Sequence, residues 1–418
     1  MRSLSIFCSF VPILILLNCG NGLGKKTENQ GGLDTVPFLK VEGTVDPQMV
    51  KGNNDFALEL YREIRSEKEN TFFSPFSIST ALAMTYAGAR EESEKQIATV
   101  LHFDRDQAKF HPDYNILLNY ITSLNRKDSV ELSIANNMFA QVDYHFSDAY
   151  FKQIKSYYGA DLQNLDFRND TENARKTINK WVEGKTKDKI KELLIPGILT
   201  EQTRLVLVNA IYFLGHWNVS FDPARTSKLP FYVSSESSIQ ADFMYREGEM
   251  NFAELDGFKM VELPYAGEEL SMVILLPTDA SSMGSVEKSL SADQWKLWEQ
   301  MMTRKKIKLL LPKFKTVSEF ELSDVLKKMG MPHPFSLAAD LSGMTGKKDL
   351  MIDKVVHKAF IEVMEKGTEA AASTAVVIRE KSGMVIPEFR ADKPFIFIIK
   401  DKKEGEILFM GRINDPTK

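Results

Sequence analysis

Glu365-Lys366-Gly367-Thr368-Glu369-Ala370-Ala371-Ala372-Ser373-Thr374-Ala375-Val376-Val377-Ile378-Arg379-Glu380-Lys381-Ser382-Gly383-Met384-Val385-Ile386-Pro387 is the stretch on which the fold turns. Alternate residues from Thr368 are Thr368, Ala370, Ala372, Thr374, Val376 and Ile378, all small or apolar and none charged. The intervening set runs from Glu369 to Arg379 and carries a charge at each end. A period of two with one uncharged face describes a strand that can be buried on one side. Its first residues are alanines, which form strands weakly. Such a segment fits two readings, a plain alanine-rich strand or linker and a strand that exists in one state of the molecule and not in another.

Upstream, apolar residues recur at helical spacing over Phe56 to Ile64, Ile78 to Ala87, Ser93 to Phe103, Tyr114 to Leu124, Asp148 to Tyr158 and Glu172 to Leu194. Strand patterns follow. Arg204 to Phe213 is continuously apolar, as a strand buried on both faces would be. Met260 to Leu263, Leu270 to Leu276, Lys306 to Leu311, Phe395 to Lys400 and Ile407 to Met410 continue the series. Helices first and strands later indicate an α+β fold with large mixed sheets.

The whole chain has 418 residues, 43 % hydrophobic and 26 % charged, with a formal net charge of −4. These proportions exclude wholesale disorder, and the balance of charge argues against a nucleic-acid-binding chain. Arg2, the apolar run Leu4 to Leu17 and the small residues of Gly22-Leu23-Gly24 form a secretory signal peptide pattern, residues 1–24. Gly20 and Gly22 are the other small cleavage positions. Leu17-Asn18-Cys19 shares features with a bacterial lipoprotein signal, although Asn before the Cys fits it poorly. The run is short for a membrane span. Both cysteines, Cys8 and Cys19, lie in that segment, so the mature chain is expected to fold without disulfides as one large domain. Residues 25–50 are polar and aperiodic and read as a flexible extension ahead of a single domain, 51–418.

A search for catalytic and cofactor chemistry returns little. No pair of the six histidines has metal-ligand helix spacing, and there is no G-x-S-x-G elbow and no phosphate-binding glycine loop after a strand. No metal, cofactor or catalytic residue is assigned.

Four stretches carry a resemblance. Glu365 to Thr374 resembles the hinge of the serpins, the serine-protease-inhibitor superfamily; Phe389 to Ile399 is similar to that family's C-terminal signature. Phe72-Phe73-Ser74-Pro75-Phe76-Ser77-Ile78-Ser79 resembles its early motif, and Asn209 to Trp217 its central strand, with Leu214 where a Lys is usual. The similarity runs from about Val50 to Pro416.

The resemblance implies three β-sheets, eight or nine helices and an exposed reactive loop at about 365–387. It implies a suicide mechanism: a protease cuts the loop, forms an acyl-enzyme, and is trapped when the cut loop inserts as a strand in the main sheet. Glu365, Gly367, Thr368, Ala370, Ala371 and Ala372 would form the hinge. The reactive bond would follow the sixteenth residue after Glu365, giving Lys381-Ser382, with Arg379 as the competing position. A lysine there suits a trypsin-like serine protease, whose specificity pocket ends in a carboxylate. Ser74, Ser77, Asn209 and His357 match the polar cluster that controls sheet opening, and Trp217, Lys313 and Glu365 the region where insertion begins.

A monomeric secreted inhibitor is expected, in extracellular fluid or stored in secretory granules, and glycosylated at Asn169-Asp170-Thr171 and Asn218-Val219-Ser220. The alternatives are a non-inhibitory carrier, storage or chaperone serpin, and a target among cysteine proteases. Lys176, Lys180, Lys185, Lys187, Lys189 and Lys191 fit either a weak polyanion site or a solvated helix face. The helix Tyr114 to Leu124, which binds heparin-like polyanions in some serpins, has no Lys or Arg. A signal peptide, no mature cysteine and a Lys-Ser bond are similar to arthropod haemolymph serpins, the horseshoe-crab coagulation inhibitors among them. That likeness implies a role in a clotting or innate-immunity cascade; a vertebrate plasma or tissue serpin acting on plasmin- or thrombin-like enzymes is the alternative.

Overall fold

The computed structural model describes residues 38–126, 129–279, 282–368 and 386–418. The signal-peptide residues 1–24, hinge residues Ala370, Ala371 and Ala372, and the bond Lys381-Ser382 lie outside the described residues. Val36–Lys418 gather into one compact unit.

Ten α-helices occur among the described residues: α1 (Pro47–Ile64), α2 (Pro75–Gly88), α3 (Glu91–Val100), α4 (Gln107–Ser123), α5 (Asp148–Tyr158), α6 (Thr171–Lys185), α7 (Met283–Ser289), α8 (Ala292–Met301), α9 (Ser323–Met329) and α10 (Ser342–Thr345). That is more than the expected eight or nine, and α10 is a single turn of four residues. The sequence sets many of their ends. Ser74 caps α2 by accepting the Ser77 N–H, with Pro75 in the first turn. Ser147 caps α5, and Gly159, at φ 63°, closes it in the left-handed conformation.

Two hydrogen-bonded sheets hold the strands. A six-stranded sheet runs β10 (Phe314–Glu321), β11 (Lys354–Met364), β12 (Gly367–Thr368), β4 (Leu205–His216), β2 (Val130–Gln141) and β3 (Leu162–Leu165). A nine-stranded sheet runs β1 (Thr71–Phe73), β15 (Ile407–Ile413), β14 (Phe395–Asp401), β8 (Leu270–Pro277), β7 (Phe258–Pro264), β6 (Ser238–Leu255), β9 (Thr303–Pro312) and β13 (Glu388–Arg390), with β5 (Ser227–Tyr232) beside β6. Three sheets become two because β6 is 18 residues long. Its first residues, 238–243, pair with β5, its last, 251–255, with β7, and β9 pairs along 243–252 between them. The α+β class stands.

The six-stranded sheet separates two apolar layers. On one face Leu205, Leu207, Ile211 and Phe213 of β4 join the large core with α2. On the other face Val206, Val208, Ala210 and Tyr212 pack with Ile178 and Val182 of α6. A strand sandwiched in this way is apolar on both faces, which is why β4 is legible as an apolar run interrupted only by Asn209 between Leu205 and Phe213.

Two boundaries differ from expectation. The segment read as a flexible extension up to residue 50 is structured from Phe38 onward. The Leu39 N–H donates to the Ser156 carbonyl at 2.8 Å, and Asn115 accepts from the Val41 N–H at 2.9 Å. Asp46 caps α1, so Pro47–Val50 are helical. Backbone groups do this docking, and a polar, aperiodic stretch gives no sign of it. The helix expected to reach Leu194 stops at Lys185. Lys187, Asp188 and Glu192 have positive φ, and residues 186–204 form a strap to β4.

Candidate functional site

The hinge enters the six-stranded sheet. β4 and β11 are parallel partners from Val206/Lys354 to Tyr212/Phe360. Beyond that row they diverge, and β12 lies between them, antiparallel to both. Thr368 faces Val363 on one side and Gly215 on the other and is 1 % exposed. Its hydroxyl is 3.2 Å from the Tyr265 hydroxyl.

The sequence readings at the loop base come together here. Lys313 Nζ stands 3.2 Å and 3.1 Å from the two Glu365 carboxylate oxygens, and the Thr226 hydroxyl donates to the same carboxylate at 2.8 Å. Burial alone would raise the pKa of Glu365. Its own backbone N–H, Thr226 and Lys313 together outweigh that and lower it, so the carboxylate stays ionised. Trp217 donates from its ring nitrogen to the Met364 carbonyl at 3.0 Å and from its backbone to Lys366 at 2.8 Å. Its ring stacks on Tyr265, centroids 4.7 Å apart.

The second cluster lies under the joined part of the two strands. His357 on β11 is 0 % exposed. Its Nε2 accepts from the Ser74 N–H at 3.1 Å, so the proton is on Nδ1, which donates to the Asn209 side-chain oxygen on β4. Asn209 donates in turn to Ser77 and Asn136, and the Ser74 hydroxyl donates to the Leu408 carbonyl at 2.7 Å. Burial lowers the His357 pKa to about 3, so the ring is neutral. Ser74, Ser77, Asn209 and His357 form the expected cluster, and Asn136 is the member that sequence reasoning missed. It stands opposite Asn209 in the β2–β4 register. Without a reading of β2 as a strand, nothing marks it.

A family model described as serpin (serine protease inhibitor) matches residues 51–416. The chain belongs to the serpin family. Two human relatives, Serpin B4 and the leukocyte elastase inhibitor, are each 38 % identical to it, over 88 % of this chain and 99 % and 100 % of theirs. Human thyroxine-binding globulin complexed with thyroxine has a TM-score of 0.81 at 30 % identity, covering 88 % of this chain and 99 % of that one. Serpins inhibit proteases and are not enzymes, and they form covalent complexes with target serine proteases.

Among the described residues of this serpin no three His, Cys, Asp or Glu gather as metal ligands, and no helix is long and apolar enough to cross a membrane. Asn169 and Asn218 are exposed, with side-chain nitrogens bonded to Asp166 at 2.9 Å and Glu268 at 2.6 Å. The lysine run does not present an unbroken basic row. Lys176 lies 3.7 Å from Glu172 and Lys187 2.6 Å from Glu131, while Lys185 and Lys189 stand over the rings of Trp181 and Phe360. The helix without Lys or Arg begins earlier than expected, at Gln107, and therefore carries Lys109.

Proposed function

We propose that this serpin is a secreted suicide-substrate inhibitor of trypsin-like serine proteases, cleaved after Lys381, in a clotting or defence cascade. The observation that carries this is Thr368 lying as a strand residue between β4 and β11. The sheet accepts the first inward residue of the loop, and the next inward residues, Ala370, Ala372, Thr374, Val376 and Ile378, are small or apolar. A charge at any of them would have to be desolvated, at a cost of several kcal/mol.

In the proposed reaction the protease serine oxygen attacks the Lys381 carbonyl carbon. The bond to Ser382 breaks, the Ser382 nitrogen leaves as an amine with a proton from the protease histidine, and an ester remains. Insertion of the freed loop then carries the protease away and distorts its site before water cleaves the ester. Lys381 selects a protease with a carboxylate at the base of its specificity pocket. Residues 1–24 have the pattern of an export signal, and both sequon asparagines face outward, which supports secretion and glycosylation at Asn169 and Asn218.

A carrier function is the second reading, favoured by the likeness to thyroxine-binding globulin. Mixing the protein with trypsin separates the two. An inhibitor leaves an SDS-stable adduct whose released peptide begins at Ser382. Complete cleavage without adduct rejects inhibition.

A further inference from the structure

α6 and its strap lie over the strands that must part. Val356 and Phe360 of β11 share one buried cluster with Val206, Val208, Ala210 and Tyr212 of β4 and with Ile178 and Val182 of α6. Ile190, Leu193 and Leu194 of the strap join that cluster. Lys358 of β11 reaches across, donating to the carbonyls of Lys191 at 3.0 Å and Glu192 at 3.3 Å. From α6, Arg175 and Asn179 donate to the Leu194 carbonyl at 2.6 and 2.9 Å. The Asn179 side-chain oxygen accepts the Leu194 N–H at 2.7 Å. β11, strap and α6 are thus tied in series above the seam. Parting β4 from β11 along their paired rows would pull apart a cluster that this cover shares with both strands.

One residue beneath the cover is out of keeping with its surroundings. Ala135 and Phe139 of β2 point into the α6 cluster, and alternation puts Asn137, between them, on the same face. Asn137 is 1 % exposed and lies opposite Val208 of β4. Neither its side-chain oxygen nor its nitrogen meets a hydrogen-bond partner among the described residues. A buried amide without partners penalises the state that encloses it. Here the enclosed state is the one with α6 seated.

We propose that Asn137 is a positioning residue that sets how readily α6 lifts, and so how fast the cleaved loop inserts. Its amide keeps the α6 face from sealing as a fully apolar contact, which speeds insertion relative to hydrolysis of the acyl-enzyme. This rests on the loop-insertion reading above and adds a rate-setting residue that touches neither loop nor protease.

The test uses Asn137→Val, which places an apolar strand-former there, and Asn137→Ala, which removes the amide without adding bulk. Two measurements need no protease: the thermal midpoint of the intact chain, and the rate at which a synthetic peptide of the Thr368–Ile378 sequence joins it, followed by native-gel shift. The third is the number of inhibitor molecules consumed per trypsin inactivated. Both variants should melt higher, by about 2–5 °C, and take up the peptide about tenfold more slowly. More inhibitor should be consumed per trypsin, with the excess recovered cleaved and uncomplexed. Peptide uptake at the wild-type rate, or an unchanged or lowered midpoint in both variants, would overturn the proposal. If the unmutated protein neither takes up peptide nor forms an adduct, the loop-insertion reading fails instead.

Discussion

At Gly367 the loop meets the sheet under a tight steric limit. A β-carbon there would stand 2.1 Å from the Gly215 carbonyl oxygen, and its φ of 141° is open to glycine and to few other residues. Thr368, one step on, lies in the ladder between Val363 and Gly215, and its hydroxyl reaches the buried Tyr265 hydroxyl on one face of the sheet. Both residues must stay small and uncharged if the rest of the loop is to follow. Thr368→Glu would place a carboxylate in that enclosed position, where desolvation costs several kcal/mol. The expected outcome is a protein that folds, is cut by trypsin and inhibits it at least about a hundredfold less efficiently, since each 1.4 kcal/mol on the insertion barrier is a factor of ten. Stoichiometric titration of trypsin, with adduct and cleaved inhibitor separated on SDS gels, checks it. Wild-type stoichiometry would mean that the hinge need not be buried.

Single elements hold the sheet shut, and they differ in how openly the sequence announces them. α5 is read to the residue and β4 to within three, because apolar helical spacing and an apolar run broken only by Asn209 are local signals. β2 is hidden: its alternation is interrupted by Asn136 and Asn137, which face opposite sides and serve different purposes. The α6 boundary is misjudged because Ile190, Leu193 and Leu194 keep a helix-like spacing after the backbone has left the helix. The site was legible where chemistry is tied to a motif, as at Glu365, Thr368 and His357. It was not where long-range register decides, as at Asn136. His357 links β11 to β4 through Asn209 and to the α2 cap through Ser74, and it can accept from Ser74 only while neutral. Burial holds its pKa at about 3, and burial with a contribution from Arg90 does the same for His111. Both folded-state values lie below the ordinary histidine value, so the unfolded chain binds more protons between about pH 6.5 and 3, and stability falls as pH falls through that window. Taking the protein from pH 7.5 to 5 should cost about 2 kcal/mol per histidine. Thermal midpoints across this range check it. His357→Gln, which removes one of the two titrations, should give a shallower dependence, and a slope identical to wild type would exclude His357 as a source.

For the molecule as a whole, the proposed mechanism assigns a set of apolar side chains to a sheet position taken up only after cleavage. Ala370, Ala372, Thr374, Val376 and Ile378 form the uncharged face of a segment that follows an inserted Thr368, and β4 and β11 still bond to each other where that face would lie. Cutting after Lys381 frees one end of the segment. Five side chains then become available for burial at about 1–2 kcal/mol each. On the loop-insertion proposal the intact form is held by a kinetic barrier, the cost of parting β4 from β11 and lifting α6, with a more stable arrangement of the same atoms beyond it. A gain of about 5–10 kcal/mol, at about 1.3 °C per kcal/mol for a domain spanning residues 51–416 with an unfolding entropy of about 2.1 cal/mol/K per residue, puts the cleaved form about 6–13 °C above the intact form in thermal midpoint. Limited trypsin digestion at Lys381, removal of the protease, and scanning calorimetry of both forms measure the difference. Thr368→Glu, cut at the same bond, should show little of the rise, because its loop cannot follow. A wild-type protein whose cleaved form melts at or below the intact one would have no barrier to discharge, and protease trapping would lose its driving force.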